Sequence, residues 1–173
     1  MIIGVPKEVK VRENRSGLLP SGVKALVADG HKVLVETKLG EGIGIADEAY
    51  KKAGAEVESS ASELWQKAEM IIKVKEPISS EYELMRKDQI LYTYLHLAAD
   101  KPLTLALCER KVTSIAYETV ELADGSLPLL RPMSQIAGRM SVQAGTHLLE
   151  KHNGGKGILI GGVPGVRRGH VAI

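Results

Sequence analysis

The chain has 173 residues, of which 44% are hydrophobic and 25% are charged, and this balance is typical of a folded domain with a substantial core. Its net charge is +2, the basic residues are scattered, and it has one Trp and no Phe. Nucleic-acid binding usually needs a basic patch or aromatic stacking surfaces, so this composition argues against a nucleic-acid partner.

Three further classes of protein find no support in the sequence. Cys108 is the only cysteine, which excludes an internal disulfide, and its apolar helical surroundings predict a buried, unreactive thiol. The histidines have no metal-ligand spacing to acids or to the cysteine, so we expect no metal site. No apolar run reaches membrane length and no signal peptide is apparent, so we expect a cytoplasmic protein with no membrane partner.

Short apolar runs alternate with helical patterns along the first two thirds of the chain. β-Branched residues favour strands, and the predicted strands lie at residues 1–5, 32–36, 70–77, 90–96 and 114–118. Helices are predicted between them, including Gly22–Ala28 and Asp47–Lys52. Strands and helices that alternate with short links predict an α/β fold. We expect a doubly wound parallel sheet, flavodoxin-like or Rossmann-like, with helices on both faces.

Polar residues mark where several of these helices begin. Ser60-x-x-Glu63 and Ser80-x-x-Glu83 are predicted capping boxes, and Asp100 is expected to cap a helix that packs Leu103, Leu107 and Cys108 inward. The glycine-rich stretch 40–44 does not match a dinucleotide fingerprint, because Ile occupies position 45 and Glu41 would repel a phosphate. We interpret that stretch as a flexible turn.

The pattern changes after Glu118. A turn is predicted at Asp124-Gly125, followed by a long helix from Pro132 to about Lys151. The last residues, 170–173, look like the first half of a new strand, so we expect the chain to be the front part of a longer protein. The predicted division is an α/β domain at 1–130, followed at 131–173 by a long inter-domain helix and the start of a second domain.

Two lysines occur within the predicted strand 70–77. Alternation places Lys73 and Lys75 on the same face, where a charge is costly unless it meets a partner or water. Lys75 lies at the carboxyl end, where open α/β sheets bind their ligands, so an anionic ligand would explain it. Alternatively, both lysines extend to solvent from an edge strand.

Lys75 and His96 each close a predicted strand, and Arg15 lies in the loop after the first strand. Arg can bind a carboxylate through two hydrogen bonds, Lys can hold a carbonyl oxygen, and His can move a proton near neutral pH. Together they suit a small carboxylate or keto acid. The alternative is a surface ion pair for Arg15, an exposed Lys75 and a structural His96.

Several motifs in order then give a family resemblance: the sequence closely resembles the N-terminal half of bacterial alanine dehydrogenases over essentially its whole length. The motifs include Gly4-Val5-Pro6-Lys7-Glu8, Glu13-Asn14-Arg15, Val74-Lys75-Glu76-Pro77, Thr93-Tyr94-Leu95-His96-Leu97, Ile115-Ala116-Tyr117-Glu118-Thr119, Pro132-Met133-Ser134 and Gly161-Gly162-Val163-Pro164-Gly165. The related transhydrogenase α subunit shares the opening motif.

This resemblance implies NAD-dependent, reversible deamination of L-alanine to pyruvate and ammonia. It implies that Arg15 and Lys75 bind substrate, that His96 is the general acid/base, that Met133 lines the cleft and that Ser134 contacts NAD. It also implies that residues 1–130 are the substrate-binding domain and that an NAD-binding Rossmann domain begins within 131–173. For the full-length protein it implies a cytoplasmic homo-hexamer. A transhydrogenase-type or opine-type dehydrogenase domain, or a non-catalytic module that binds a small anion or assembles subunits, stays open as an alternative.

Overall fold

A computed structural model describes residues 1–172 of the chain. These residues form two compact units, the first spanning Met1–Val120 and the second beginning at Glu121. The predicted domain boundary at residue 130 stays a prediction.

The first unit is built on one sheet of six parallel strands in the order β3-β2-β1-β4-β5-β6. This is the strand order of the Rossmann fold, so the predicted doubly wound parallel sheet is confirmed. The strands are β1 Ile2–Val5, β2 Lys32–Glu36, β3 Glu56–Glu58, β4 Met70–Ile72, β5 Ile90–Thr93 and β6 Thr113–Ala116. The helices of this unit are α1 Pro20–Ala28, α2 Asp47–Lys52, α3 Ala61–Lys67 and α4 Lys101–Arg110.

The hydrophobic core lies on both faces of the sheet. Successive strand residues point to opposite faces, so Leu34 joins one buried cluster while its neighbours Val33 and Val35 join the other. One cluster packs the sheet against α3 and α4 through Leu64, Trp65, Leu103 and Leu107. The other packs it against α1 and α2 through Val23 and Tyr50. Helices therefore cover both faces, as predicted.

Several local predictions were wrong. The edge strand Glu56–Glu58 was missed, because it is short and has a single apolar residue. The capping box at Ser80 does not form: residues Ser79–Leu84 make a 3₁₀ turn in which Glu81 accepts a hydrogen bond from the N–H of Ile78 at 3.0 Å. By contrast, the predicted caps are present at Ser60, which accepts from the N–H of Glu63, and at Asp100.

The cysteine prediction was also wrong. Cys108 is exposed, whereas Leu103 and Leu107 on the same helix are buried. Leu103 and Leu107 are four residues apart and share one helix face, while the next position is turned by about 100° away from that face.

The second unit contains the predicted long helix, α5, at Arg131–Leu149. The turn at Asp124-Gly125 precedes it, with Gly125 at φ 79°. Residues 170–172 are not in a strand, and Ile173 lies outside the described residues. None of the helices in residues 1–172 combines the length and the apolar character that a membrane crossing requires.

Candidate active site

The candidate site lies at the carboxyl edge of the sheet in the first unit. All strands are parallel, so the loops that follow them emerge at the same edge. β1, β4, β5 and β6 are consecutive neighbours in the sheet. The loops after β1, β4 and β5 carry Arg15, Lys75 and His96, respectively.

Lys73 does not extend to solvent and does not face a ligand. Its side chain is 1% exposed, and its ammonium lies 2.6 Å from Glu81 Oε1 and 3.6 Å from Glu8 Oε2. Both carboxylates are themselves buried, so Lys73 is the centre of a buried ion cluster. β4 ends at Ile72, so both lysines follow the strand rather than lying within it. The alternative that both lysines extend to solvent is wrong for Lys73, because two buried carboxylates hold its ammonium in the core.

Lys75 is half-buried and differs from Lys73 in its surroundings. Its backbone N–H, together with that of Val74, donates to Glu8 Oε1, at 3.4 Å and 2.6 Å. Its ammonium makes no hydrogen bond or ion pair with any residue of the described range 1–172. Its charge nevertheless lowers the pKa of the nearby Glu13 carboxyl, behind the larger effect of Arg15.

Arg15 makes a two-point ion pair with Glu13. Its Nε donates to Glu13 Oε1 at 2.8 Å and its Nη2 donates to Glu13 Oε2 at 2.6 Å. These hydrogen bonds are the main reason that the pKa of Glu13 is lowered, and they raise the pKa of Arg15. The Arg15 side chain remains 43% exposed. The ion-pair alternative for Arg15 is thus realised, but the guanidinium remains accessible to solvent.

A cleft of about 170 Å³ lies beside Arg15. It is lined by Lys7, Glu8, Glu13, Asn14, Arg15, Leu39, Glu41 and Gly42. The cations of this cleft are paired, since Lys7 lies 3.0 Å from Glu41 and Arg15 binds Glu13. Lys75, by contrast, makes no ion pair within residues 1–172, so its charge is the one in this group that is not held in a direct carboxylate contact.

His96 lies three residues after the end of β5 and has an unusual main-chain conformation. It adopts the left-handed conformation, with φ 50° and ψ 37°, and its side chain is exposed. Glu118 accepts hydrogen bonds from the N–H groups of His96 at 2.7 Å and Leu95 at 3.0 Å. Burial alone would raise the pKa of Glu118, but these N–H donors favour the carboxylate and the pKa is lowered.

Three tyrosines connect the Arg15 side of the site with the His96 side. Tyr117 packs edge-on against Tyr92 and Tyr94, with ring centroids 4.3 Å and 5.0 Å apart, and burial raises the pKa of Tyr117. The Tyr94 ring stacks on the His96 ring at 6.3 Å. Burial raises the pKa of Tyr94 and the charge of Arg15 opposes this rise. Arg15 and His96 therefore both lie close to Tyr94.

Met133 and Ser134 belong to the second unit. They lie in the first turn of α5, where their N–H groups donate to the carbonyl of Leu130 at 3.0 Å and 3.1 Å. The first unit brings together Arg15, Lys75 and His96, and the other two predicted residues lie outside it.

The glycine-rich stretch 40–44 does not provide a dinucleotide site. Glu41, at its centre, is a carboxylate held by Lys7. The backbone is closely packed, since a Cβ on Gly42 would lie 2.6 Å from the carbonyl oxygen of Asn14. A pyrophosphate would meet a negative charge here. This stretch therefore does not fit the pyrophosphate of NAD.

A sequence model described as "Alanine dehydrogenase/PNT, N-terminal domain" matches residues 4–137, which is most of the chain. The chain belongs to this alanine dehydrogenase/PNT N-terminal domain family. It is similar to the alanine dehydrogenase of Methanococcus maripaludis, with 60% identity over all 173 residues and 46% of that protein. An alanine dehydrogenase of Staphylococcus epidermidis is 57% identical over the same shares.

Solved structures agree with the family assignment. An L-alanine dehydrogenase structure, 58% identical, matches 98% of the chain and 46% of its own length with a TM-score of 0.85. A transhydrogenase from Sinorhizobium meliloti, 28% identical, matches 68% of the chain and 34% of its own length with a TM-score of 0.65. The chain thus spans about half the length of the alanine dehydrogenases that it matches.

Sequence reasoning missed three members of the site: Glu8, Tyr94 and Glu118. Each lies next to or within a motif that the family resemblance used, but its contacts are non-local. Glu8 binds residues 66 and 67 positions away, and Glu118 binds residues 22 and 23 positions away. The only available signal was their position just after strands β1, β5 and β6.

Proposed function

We propose that this chain is the substrate-binding half of an NAD-dependent alanine dehydrogenase, which converts L-alanine reversibly to pyruvate and ammonia. The observation that carries the proposal is the common position of Arg15, Lys75 and His96 at the carboxyl edge of one sheet. Family membership and 60% identity to a protein named alanine dehydrogenase support it.

Each of the three residues has chemistry that suits a 2-oxo acid. The Lys75 ammonium is proposed to hold the carbonyl oxygen of pyruvate and to stabilise negative charge that develops there. Arg15, whose guanidinium is partly exposed beside its Glu13 pair, is proposed to bind the substrate carboxylate. His96 is proposed to give and take the proton as water and ammonia add to or leave the reacting carbon.

NAD is the proposed cofactor, and it would supply the hydride acceptor for L-alanine oxidation. Ser134 is proposed to touch this cofactor and Met133 to line the cleft, with the remaining cofactor contacts outside residues 1–172. We also propose a cytoplasmic homo-hexamer for the full-length protein, and a division of this chain near residue 130.

The test is NADH oxidation in the presence of pyruvate and ammonium. It uses the full-length product of the gene that encodes this chain, with Lys75→Ala as the site variant. Lys24→Ala is the matched control, because Lys24 is exposed on α1 and far from the strand ends in sequence. We expect activity in the wild type and in the control, and a loss of at least 100-fold in Lys75→Ala with an unchanged thermal midpoint.

Two other results would favour other functions. Hydride transfer between two nucleotides without an amino acid or keto acid would support a transhydrogenase-type domain, which the 28% identity to a transhydrogenase makes the second candidate. Inactivity with pyruvate and with other keto acids, in a folded protein, would instead favour a module that binds a small anion. The 173-residue chain alone is expected to bind pyruvate weakly and to turn nothing over.

A further inference from the structure

The loop that carries His96 is held by a carboxylate from the neighbouring strand's loop. Glu118 accepts hydrogen bonds from two successive backbone N–H groups, those of Leu95 at 3.0 Å and His96 at 2.7 Å. β5 ends at Thr93, so this pair of N–H groups begins two residues after the strand. Successive N–H groups that converge on one anion are a strong arrangement, because each hydrogen bond is assisted by the charge.

The loop that carries Lys75 is held in the same way. Glu8 Oε1 accepts from the successive N–H groups of Val74 and Lys75, and this pair also begins two residues after the end of its strand, at Ile72. The two strands, β4 and β5, are neighbours, and β1 and β6 flank them. The two carboxylates come from the loops after the flanking strands. Lys75 and His96, two of the proposed site residues, come from the loops after the two strands between them.

The two carboxylates, Glu8 and Glu118, differ in the other contacts that they make. Glu8 is also part of the buried cluster of Lys73 and Glu81, so its replacement would disturb the core. Glu118 is only half-buried, and its hydrogen bonds go to the main chain at Leu95 and His96. At Glu118, therefore, the effect of the carboxylate on the loop can be measured separately from an effect on folding.

The backbone conformation of His96 is one that needs support from neighbouring contacts. It adopts a left-handed conformation that non-glycine residues rarely adopt, because Cβ then crowds the following carbonyl. On one side, the side chain of Leu95 is fixed in the core, being 1% exposed. On the other side, the Tyr94 ring stacks on the imidazole. The hydrogen bonds from Glu118 complete the set of contacts that fix the direction in which His96 leaves the main chain.

We propose that Glu118 is a positioning residue that holds the main chain at Leu95 and His96 and thereby directs the imidazole towards the substrate. The inference rests on the proposed function, since it assigns Glu118 a task in the chemistry of His96. Glu118 acts through the backbone and touches no reacting atom. Its removal is expected to affect turnover more than substrate binding, because Arg15 and Lys75 keep their own contacts.

The kinetic test compares two replacements in the full-length gene product. Glu118→Ala removes the acceptor and is expected to lower kcat for pyruvate amination about 10- to 100-fold, with little change in KM for pyruvate. Glu118→Gln keeps one acceptor oxygen and is expected to retain most of the activity. Glu109→Ala, an exposed carboxylate on α4, is the matched control and should behave as wild type.

A second measurement does not depend on activity. In the ¹⁵N-labelled 173-residue chain, Glu118→Ala is expected to move the amide proton resonances of Leu95 and His96 upfield, because both lose a charged acceptor. Resonances of strand residues on the far side of the sheet should stay in place, and the Glu109→Ala spectrum should match the wild type at both amides.

The possible outcomes separate the two proposals. If the wild type is active but Glu118→Ala keeps its kcat, the positioning role is wrong and the proposed function stands. If both Glu118 variants lose activity in step with a fall in the thermal midpoint, Glu118 is merely structural and the positioning role is also wrong. If the wild type is inactive, the proposed function fails, and the amide resonances alone decide whether Glu118 positions the His96 main chain.

Discussion

Replacement of Lys73 by methionine tests the buried ion cluster. The ammonium of Lys73 lies 2.6 Å from Glu81 Oε1 and 3.6 Å from Glu8 Oε2, and its side chain is 1% exposed. Within residues 1–172, Glu8 Oε2 has no hydrogen-bond partner, so Lys73 is the group that compensates its charge. Lys73→Met keeps an unbranched side chain that is one heavy atom shorter, and it removes the compensating charge from two buried carboxylates.

The expected cost is large because uncompensated charges remain buried. Removing one partner of a buried ion pair typically costs about 3–5 kcal/mol in unfolding free energy. The matched control is Lys32→Met, which breaks an ion pair of similar length, 2.9 Å to Glu56, whose partners are 51% and 60% exposed. Exposed pairs contribute about 0–1 kcal/mol, so the control should be nearly neutral.

Urea unfolding of the 173-residue chain, followed by circular dichroism at pH 7 and at pH 5, measures both costs. Burial raises the pKa of Glu8, and the Lys73 charge opposes this rise. The pKa should therefore rise further in Lys73→Met. A carboxyl whose folded-state pKa is raised stabilises the fold when protonated, so the deficit of the variant should shrink as the pH falls. A deficit no larger than that of the control, or one that grows at pH 5, would refute this account.

Three further predictions follow from single positions. Gly4→Ala should lower the unfolding free energy by about 1–3 kcal/mol in thermal melts, because its Cβ would lie 2.7 Å from atoms of Ala68 and Leu64; a neutral result would mean that α3 can move away. Glu118 has a lowered pKa, so its charge stabilises the fold above the ordinary value of 4.5, and this contribution is lost as the pH falls through the lowered pKa. The thermal midpoint of Glu118→Gln should therefore fall less steeply than that of the wild type as the pH is lowered. Parallel curves of thermal midpoint against pH would contradict this. Cys108 should react with a thiol reagent in the native 173-residue chain, and protection until denaturant is added would mean that it is buried.

The fold was largely predictable because its signals are local. The β-branched run predicts strand β2, and the polar residue Asp100 predicts the start of α4, each from only a few neighbouring residues. The strand Glu56–Glu58 was not predicted, because its pairing with β2 and not its own composition makes it a strand. The serine at position 80 suggested a cap, but in this turn the N–H of Ile78 donates to Glu81. Lys73, eight residues before Glu81, holds that carboxylate in place.

The charged residues of the site could be predicted from the sequence, but the residues that hold them in position could not. Lys75 and His96 could be located from strand ends, because parallel strands bring their carboxyl ends to one edge. The position at the carboxyl end singled out Lys75, but alternation gives both lysines the same face and could not show that Lys73 is buried. What distinguishes them is Glu8, which pairs with the ammonium of Lys73 but with the backbone of Lys75. That contact spans more than 60 positions in sequence.

The hydrogen bonds made by Glu8 and Glu118 go to main-chain N–H groups, which every residue except proline possesses. These hydrogen bonds therefore do not depend on which side chains stand at positions 75 and 96, provided that neither is proline. At the carboxyl edge of this sheet, the side chain that reacts and the hydrogen bonds that hold its loop are thus carried by different atoms. A substitution at position 75 or 96 replaces the reactive group and leaves the main-chain donors in place.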